Sequence, residues 1–470
     1  MNANQLFKSH RQYLLPALGL MTAVSCIHPP GEPDDVRPSI IFVFADDWGF
    51  GDLGCYGHEV IRTPHIDRLA QQGTIYTQFL VTSGVCSPSR ASILTGHFPA
   101  RHRVHGHFAG NEVNERRDMP NWLNDTLEHY LPKLMQEAGY LTAHYGKWHL
   151  GGGGLPHGDP SAPEPAQYGY HDARVWNGNG PTWKGMELWP ETRYMDHDTV
   201  WAQNSNMLAI DATIRFLREN REKNQPFFIN LWLKEPHTPL WPSDEQKEPW
   251  MHVEEPERTY YAVLYDADYH IGRLMEALDE MQLSDNTLLI FSSDNGPEYA
   301  SGNPDAWTYY SRGVTGGLRG QKRSLYQGGQ NVPFIVRWPG HTPAGKRDSI
   351  SLLSSVDLFP TFCEIAGAEI PEGWGPEGES ILDALRGSGF NRTKPLFWEW
   401  RFAQPNHEDL WPEMAVREGD WKLLKNFDTG RTELYNIAAD PIESHNLLDD
   451  KPAKAGELEQ LWLDWKATLP

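Results

Sequence analysis

Short apolar runs alternate along the chain with stretches of helical periodicity. The apolar runs cover residues 39–45, 140–145, 226–232, 287–293 and 332–338. The helical stretches include 131–138, 204–219 and 260–281. An apolar run without polar alternation is typical of a parallel strand that is buried on both faces. The pattern therefore predicts an α/β fold, in which a large, mostly parallel sheet is sandwiched by helices.

The pattern changes after about residue 390. Short strands are predicted over 396–400, 414–417, 421–425 and 433–436, and a closing amphipathic helix over 457–469. Turn signals at Gly419-Asp420 and Thr429-Gly430 favour a small antiparallel subdomain. We therefore expect an α/β domain over 38–390 and a C-terminal α+β subdomain over 391–470.

The N-terminal segment has the features of an export signal. Lys8 and Arg11 precede an apolar run over 13–24, which is too short to span a bilayer. Residues 23–26, Ala-Val-Ser-Cys, resemble a bacterial lipoprotein cleavage box, with Ala where Leu is more usual. We expect a signal peptide over 1–26, possible lipid attachment at Cys26, a linker over 27–37, and a periplasmic or outer-membrane-attached protein in a bacterium. The alternative is a soluble signal peptide without a lipid.

One long segment has no clear period. Residues 151–199 are rich in Gly, Pro, Trp and Tyr, which predicts a surface excursion over the site. The aromatic residues in and around it could either pack or form a wall on which a sugar stacks. They are Tyr168, Tyr170, Trp176, Trp183, Trp189 and Tyr194.

Charge narrows the range of partners. The net charge is −22 at pH 7, which makes non-specific binding of nucleic acid unfavourable. Any anionic substrate must therefore be held by a local basic pocket. The four Cys residues show neither a zinc-binding spacing nor a dense disulfide pattern.

Polar side chains follow several of the predicted strands. Asp46 and Asp47 come directly after the first run, and Asp294 and Asn295 follow the run over 287–293. In open α/β sheets, ligands bind at the carboxyl ends of the strands. Carboxylate and amide oxygens suit Ca²⁺ or Mg²⁺ and do not suit zinc. The alternative is that these pairs are turn formers.

A second candidate is the segment Cys86-Ser87-Pro88-Ser89-Arg90, which ends six residues later in Thr95-Gly96. Pro88 suits the first turn of a helix, so Cys86 is predicted at a helix N-terminus, where anions are favoured. Arg90 lies one turn further on the same face and could offer its planar fork to the same anion.

This segment resembles the signature of the formylglycine sulfatases, a branch of the alkaline phosphatase superfamily. The resemblance extends in order over roughly residues 38–450. Its further motifs are Asp46-Asp47-Trp48-Gly49, Thr63-Pro64-His65, Gly146-Lys147-Trp148-His149, Pro236-His237-Thr238-Pro239, Asp294-Asn295-Gly296, Leu318-Arg319-Gly320-Gln321-Lys322 and Glu433-Leu434-Tyr435-Asn436.

The resemblance implies a sulfatase that acts on a sulfated carbohydrate. A separate maturation enzyme would oxidise Cys86 to formylglycine, whose hydrate attacks sulfur and forms a covalent sulfo-enzyme. One Ca²⁺ would be held by Asp46, Asp47, residue 86, Asp294 and Asn295. The implied sulfate-binding and catalytic residues are Cys86, Arg90, Lys147, His149, His237 and Lys322, with His237 as the acid for the leaving alcohol and His149 as the base on residue 86.

The chain also departs from the family pattern. It has His97 where Arg is frequent, and no polar group can be assigned in the Gly run after His149. His97 and the histidines in 102–107 are at most supporting residues. Two other functions stay open: a phosphodiesterase or phosphonate monoester hydrolase of the same superfamily, and a non-catalytic glycan-binding protein. The sugar, the sulfate position, exo or endo action and the oligomeric state cannot be read from the sequence.

Overall fold

We analysed a computed structural model, which describes residues 37–124, 127–152, 161–176, 199–238, 240–300 and 311–470. Within these residues the chain forms fourteen strands and eleven α-helices. The strands are β1 Ser39–Ala45, β2 Thr74–Tyr76, β3 Phe79–Leu80, β4 Leu141–Lys147, β5 Asp172–Trp176, β6 Phe227–Trp232, β7 Thr287–Ser293, β8 Phe334–Arg337, β9 Lys346–Asp348, β10 Leu353–Ser354, β11 Leu396–Glu399, β12 Met414–Glu418, β13 Trp421–Lys425 and β14 Thr432–Asn436. The helices are α1 Pro64–Gln71, α2 Cys86–Thr95, α3 Asn111–Arg116, α4 Leu131–Glu137, α5 Thr199–Asn220, α6 Asp244–Lys247, α7 Glu257–Glu280, α8 Gln327–Gln330, α9 Leu358–Ala366, α10 Leu382–Leu385 and α11 Pro452–Lys466.

Eight strands form the main sheet, in the order β5-β4-β6-β1-β7-β8-β2-β9. The five strands from β5 to β7 are all parallel. β8 is antiparallel to both of its neighbours. The predicted mostly parallel sheet is therefore confirmed, with one reversed strand.

The sheet is the middle layer of three. Successive side chains of a strand point to opposite faces, so Ile40, Phe42 and Phe44 of β1 join one core with α2, α4 and α9. Ile41 and Val43 join a second core with α1, α5 and α7. Because both faces are covered, every residue of β1 is buried, as its continuous apolar run predicts.

The C-terminal part forms a separate four-stranded antiparallel sheet, β11-β12-β13-β14. Trp462 and Trp465 of α11 belong to a third core together with this sheet. The predicted small antiparallel unit is confirmed, whereas its boundary at residue 390 stays a prediction.

Residues 151–199 were predicted to be a surface excursion, and this was wrong for part of the segment. β5 lies within it and pairs in parallel with β4 as the edge strand of the main sheet. Residues 153–160 and 177–198 lie outside the described residues, as does the predicted signal segment. Among the described helices, none combines the length and the hydropathy needed to cross a bilayer.

Candidate active site

The carboxyl ends of β1 and β7 bring two pairs of polar residues together. The two strands are parallel neighbours with Ala45 opposite Ser293, so the residues that follow lie side by side. The backbone N–H of Asp294 donates to the carbonyl of Ala45 at 3.1 Å. The N–H of Asp47 donates to Asp294 Oδ1 at 3.3 Å. The strand ends therefore fix both acidic pairs at one edge of the sheet, as we expected.

Cys86 is the first residue of α2, and Gly96 caps the helix in the left-handed conformation with φ 71°. The predicted bounds of this helix are confirmed. All ten residues of α2 are buried, and Cys86 is 2% exposed. The thiol Sγ lies 3.2 Å from Nδ1 of His149, so the helix start presents this side chain directly to one of the predicted catalytic histidines.

Arg90 lies one helical turn after Cys86 but does not face a free space. Its Nε and Nη2 atoms donate to Oδ2 of Asp294 at 3.0 and 2.6 Å, and Nη1 donates to the carbonyl of Lys147 at 3.3 Å. We expected the guanidinium fork to bind the substrate anion. In the structure the guanidinium binds the carboxylate of Asp294 instead.

Two lysines meet the Asp46-Asp47 pair. The ammonium of Lys147 donates to Asp46 Oδ2, and that of Lys322 lies 2.6 Å from Asp47 Oδ1. Asn295 Nδ2 donates to the same Asp47 oxygen at 2.6 Å. Each lysine is thus placed against one carboxylate.

We call this set of buried polar residues the site floor. Every member is at most 4% exposed. The site floor consists of Asp46, Asp47, Arg90, Lys147, Asp294, Asn295 and Lys322.

Burial and the close spacing of charged groups in the site floor shift the pKa values of its carboxyl groups. Burial raises the pKa of Asp294 to about 7, and the neighbouring charge of Asp46 adds to the rise. Burial likewise raises the pKa of Asp47, against the effect of Lys322. Burial opposes ionisation of Asp46 too, but Lys147, His237 and Arg90 outweigh it and hold the pKa of Asp46 far below its usual value.

The site floor fits a divalent cation. Oδ1 of Asp46 and Oδ1 of Asn295 are buried acceptors without a hydrogen-bond donor, and such atoms are costly unless a cation or water satisfies them. One ligand atom from each of Asp46, Cys86 and Asp294 lies within 4.8 Å of the others. Hard oxygen ligands of this kind suit Ca²⁺ or Mg²⁺. Three carboxylates face three cations here, so a bound dication would make the floor electropositive.

His149 and His237 flank the floor on two sides. His237 Nε2 lies 3.6 Å from Asp47 Oδ2. Burial lowers the pKa of both imidazoles, and the charges of Lys147 near His149 and of Lys322 near His237 lower them further. Both rings are therefore neutral near pH 7.

The other histidines divide into two groups. His97 Nδ1 lies 3.1 Å from His102 Nε2 and its Nε2 lies 3.0 Å from the carbonyl of Trp374, away from the floor. His105 pairs with Glu399 at 3.0 Å. His107 is exposed, and its ring centroid lies 6.2 Å from that of His149. Of the histidines named as supporting candidates, His107 is the one beside the site.

Three of the six aromatic residues that could form a sugar-stacking wall are among the described residues. Tyr168, Tyr170 and Trp176 are at most 3% exposed and belong to the cores on the two faces of the sheet. For these three residues the packing alternative is therefore correct, and the alternative that they form a sugar-stacking wall is wrong. Trp183, Trp189 and Tyr194 lie outside the described residues.

Two acidic residues near the floor received no role in the sequence analysis. Asp52 accepts hydrogen bonds from the N–H groups of Gly49 and Val314 and from the hydroxyl of Tyr260, each at 2.8 Å. Glu298 is 2% exposed and pairs with Arg323, with both contacts at 2.6 Å. Asp52 stands close to a quoted motif, but no spacing in the sequence marks Glu298.

Comparison with known proteins adds the family. A family model described as Sulfatase matches residues 38–368, and a model described as N-sulphoglucosamine sulphohydrolase, C-terminal, matches residues 320–462. Together they cover both the main sheet and the C-terminal sheet. The resemblance drawn from the motifs is thereby confirmed.

Individual relatives agree with the family models. An N-acetylgalactosamine-6-O-sulfatase of Bacteroides thetaiotaomicron is 28% identical over 95% of this chain and 97% of its own. The N-acetylgalactosamine-6-sulfatase of Canis lupus familiaris is 30% identical over 77% of this chain and 68% of its own. The crystal structure of Ps i-CgsB in complex with k-i-k-neocarrahexaose superposes with a TM-score of 0.75 at 26% identity, over 91% of this chain and 92% of that one. The chain therefore belongs to the sulfatase family and is a hydrolase of sulfuric esters.

Proposed function

We propose that this sulfatase hydrolyses a sulfate ester of a sulfated carbohydrate, with the side chain of residue 86, oxidised to formylglycine, as nucleophile. The observation that carries the proposal is the position of Cys86, at a buried helix start between His149 and the carboxylates of the site floor. The names of the relatives support the substrate class, since two are called N-acetylgalactosamine-6-sulfatases and one structure was solved with k-i-k-neocarrahexaose.

An unmodified thiol is poorly suited to this position. Burial raises the pKa of the Cys86 thiol, so the side chain stays neutral, whereas a nucleophilic cysteine acts as thiolate. A hydrated aldehyde supplies two hydroxyls at residue 86, one to attack sulfur and one to release sulfate afterwards. This favours formylglycine at residue 86.

The lysines and histidines of the site have separate tasks in this proposal. Lys147 and Lys322 bind the sulfate oxygens as point charges. His149, 3.2 Å from Sγ of Cys86, accepts the proton from the hydroxyl of residue 86. His237 donates a proton to the leaving alcohol. The pKa of His237 is lowered by burial and by Lys322, so the negative charge of a sulfate bound near the ring favours its protonated form.

Ca²⁺ is the ion that we propose for the site floor, held by Asp46, Asp47, residue 86, Asp294 and Asn295. When bound, it would polarise the sulfate and the hydroxyl of residue 86. The two acceptor oxygens without donors, on Asp46 and Asn295, support this assignment. Arg90 then acts by holding Asp294 in place through its two hydrogen bonds.

Residues 1–26 are proposed to direct export to the periplasm or outer membrane of a bacterium, with a possible lipid on Cys26. The charged start and the short apolar run over 13–24 support this proposal. A formylglycine-generating enzyme is the second partner that the proposal needs. Labelling the bacterium with a fatty-acid analogue tests for lipid on Cys26.

A substrate panel tests the function. Enzyme co-expressed with a formylglycine-generating enzyme is assayed on defined sulfated mono- and oligosaccharides and on a phosphate diester. The mass of the peptide that contains Cys86 shows whether the thiol has become an aldehyde. Sulfate release from a sugar with the aldehyde present supports the proposal. Turnover of the phosphate diester alone would favour the phosphodiesterase alternative, and an intact thiol in active enzyme would disprove the proposed nucleophile.

A further inference from the structure

Beside the site lies a positive charge, on Arg117, that pairs with no carboxylate among the described residues. Arg117 follows α3 and donates from Nη1 to the carbonyl of His107 at 3.0 Å. The same atom lies 3.4 Å from His107 Nε2. The ring of His107 lies with its centroid 6.2 Å from that of His149, which contacts Cys86. Within the described residues, a chain of contacts through two imidazole rings thus connects Arg117 with the proposed nucleophile.

Three other arginines in this region are paired with acids. Arg103 and Arg401 both pair with Asp118, the latter at 3.1 Å. Arg323 pairs with Glu298 at 2.6 Å. Within the described part of the chain, Arg117 forms no ion pair with a carboxylate. In a protein with a net charge of −22, an uncompensated arginine beside the site is chemically distinctive, since acidic partners are plentiful.

The Arg117 guanidinium is also held in a fixed orientation. Its Cζ lies 5.1 Å from the ring centroid of Phe402, a cation–π contact from the C-terminal subdomain. Phe402 can approach because residue 106 is glycine, where a Cβ would lie 2.6 Å from Phe402 Cε2. An aromatic ring on one side and the His107 carbonyl on another leave the remaining N–H donors of the partly buried fork available. Such preorganisation lowers the entropic cost of binding.

We propose that Arg117 binds a second anionic group of the substrate, a carboxylate or a second sulfate, next to the sulfate ester that is cleaved. This inference rests on the proposed function in that the substrate is a sulfated carbohydrate. The planar fork of arginine matches the paired oxygens of either anion. We call His107, Arg117 and Phe402 the rim group. The rim group selects polyanionic glycans over sugars that carry a single sulfate.

The test compares three probes on the formylglycine-containing, Ca²⁺-loaded enzyme. They are N-acetylgalactosamine-6-sulfate with one anion, N-acetylgalactosamine-4,6-disulfate with a second sulfate, and the unsaturated disaccharide of chondroitin-6-sulfate with a neighbouring carboxylate. We expect Arg117→Met to raise KM about 10- to 100-fold on one or both doubly anionic probes, as for loss of a charged hydrogen bond. The change in kcat, and in KM for the singly anionic probe, should stay below about twofold. Whichever doubly anionic probe responds more identifies the second group.

Arg116→Met is the matched control. Arg116 is exposed and adjacent, and it has the same charge, so its loss changes the general field equally. This variant should leave KM on all three probes unchanged, and Arg117→Lys should recover part of the affinity. An equal loss on all three probes, or equal effects of Arg116→Met and Arg117→Met, would overturn the inference.

Binding separates this inference from the proposed function. In the Cys86→Ala background, calorimetry measures Kd for the same sugars without any turnover. The inference requires that adding Arg117→Met raises Kd for a doubly anionic probe at least tenfold. An unchanged Kd, or no binding of either doubly anionic probe, overturns it, whether or not the wild type hydrolyses these sugars.

Discussion

The site floor and the rim group lie on either side of His149 but are built differently. In the floor, each charged side chain is buried and meets an opposite charge, such as Arg90 against Asp294 or Lys322 against Asp47. In the rim group, His107 is exposed and Arg117 is held by one carbonyl and one aromatic ring. A dense charge network resists substitution, whereas a lightly held cation can change between relatives at little cost. The contrast fits our two proposals, in which the floor carries out the reaction and the rim group selects the substrate.

The secondary structure explains the contrast. Five floor residues end or follow β1, β4 and β7, at the edge of a sheet that is covered on both faces. Of the other two, Arg90 lies in the buried helix α2 and Lys322 in the connection before α8. Rim residues lie in the connections around α3 and after β11. Side chains at the ends of central strands are held in place by the rigid sheet, whereas loops vary more in conformation and sequence.

The largest effect is expected next to the floor, for Cys86→Ala. Removal of the nucleophile should lower kcat at least about a thousandfold, because no other side chain supplies the second hydroxyl. Circular dichroism should show an intact fold, since only one sulfur atom is lost. Cys363→Ala, at a buried thiol in α9, is the matched control and should keep full activity. Normal sulfate release by Cys86→Ala would refute the assignment of the nucleophile.

Removal of Ca²⁺ is the next largest change and depends on pH. In the ion-free protein, burial and Asp46 raise the pKa of Asp294 to about 7, compared with about 3.9 in the unfolded chain. The folded state thus takes up a proton that the unfolded state does not, so the ion-free protein gains stability as the pH falls from about 7 towards 4. Ca²⁺ needs the ionised carboxylate, so its stabilising effect should shrink over the same range.

The measurement is Tm with excess Ca²⁺ and with a chelator, between pH 5 and pH 8. At a hundredfold excess over Kd, Ca²⁺ should stabilise by about 2.7 kcal/mol at high pH, and activity should fall on chelation. Asp268→Asn is the control, because burial also raises the pKa of Asp268 to about 7 at a site away from the floor. It should alter the pH profile of Tm but not the calcium effect. A calcium effect that is independent of pH would argue against Asp294 as a ligand.

A third prediction links the floor to the C-terminal sheet. Arg319 Nε donates to Asp409 Oδ1 at 2.8 Å, and its guanidinium lies 3.8 Å from the ring centroid of Tyr326. Lys322 follows three residues later. Arg319→Met should therefore loosen Lys322 and lower kcat/KM about tenfold, or about 1.4 kcal/mol.

Arg431→Met is the matched control for this prediction. Arg431 pairs with Glu433 at 2.7 Å and lies 4.2 Å from the ring centroid of Trp411 in the same subdomain. Both variants should lower Tm, but only Arg319→Met should lower turnover. Equal losses of turnover would mean that the C-terminal sheet acts only through general stability.

The smallest effect is expected in the rim group, for Phe402→Leu. Loss of the cation–π contact with Arg117 should raise KM for a doubly anionic sugar about two- to fivefold, the effect of about 0.5–1 kcal/mol. The singly sulfated sugar should be unaffected. Steady-state kinetics on the two sugars measure the difference. A larger effect on kcat than on KM would show that Phe402 acts on the reaction and not on substrate binding.

Much of the fold and most of the floor could be predicted because parallel strands share one edge. The predicted run over 39–45 has the same bounds as β1, and the run over 287–293 the same bounds as β7. The residues after each strand must meet at that edge, so the sequence alone is enough to group Asp46, Asp47, Asp294 and Asn295. Their roles as ligands stay predictions.

The misses have physical reasons too. An apolar run carries no direction, so the reversal of β8 could not be foreseen. β5 is a short edge strand without a continuous apolar run, and its pattern therefore resembles that of a loop. Helical spacing places Arg90 on the same face as Cys86, but it cannot show whether the guanidinium binds a substrate anion or the carboxylate of Asp294. The orientation of Arg117 depends on its contact with Phe402. Phe402 is remote in sequence, so motif spacing could not predict this contact.

The complete burial of α2 also constrains the order of events in biosynthesis. Its ten residues lie between the main sheet, α4 and α9, and the thiol of Cys86 is enclosed by His149 and the acidic edge. An oxidising enzyme could not bind this segment once α2 has packed into the fold. The proposed conversion of the thiol to formylglycine would therefore have to precede folding, and fast folding would then lower the yield of active protein.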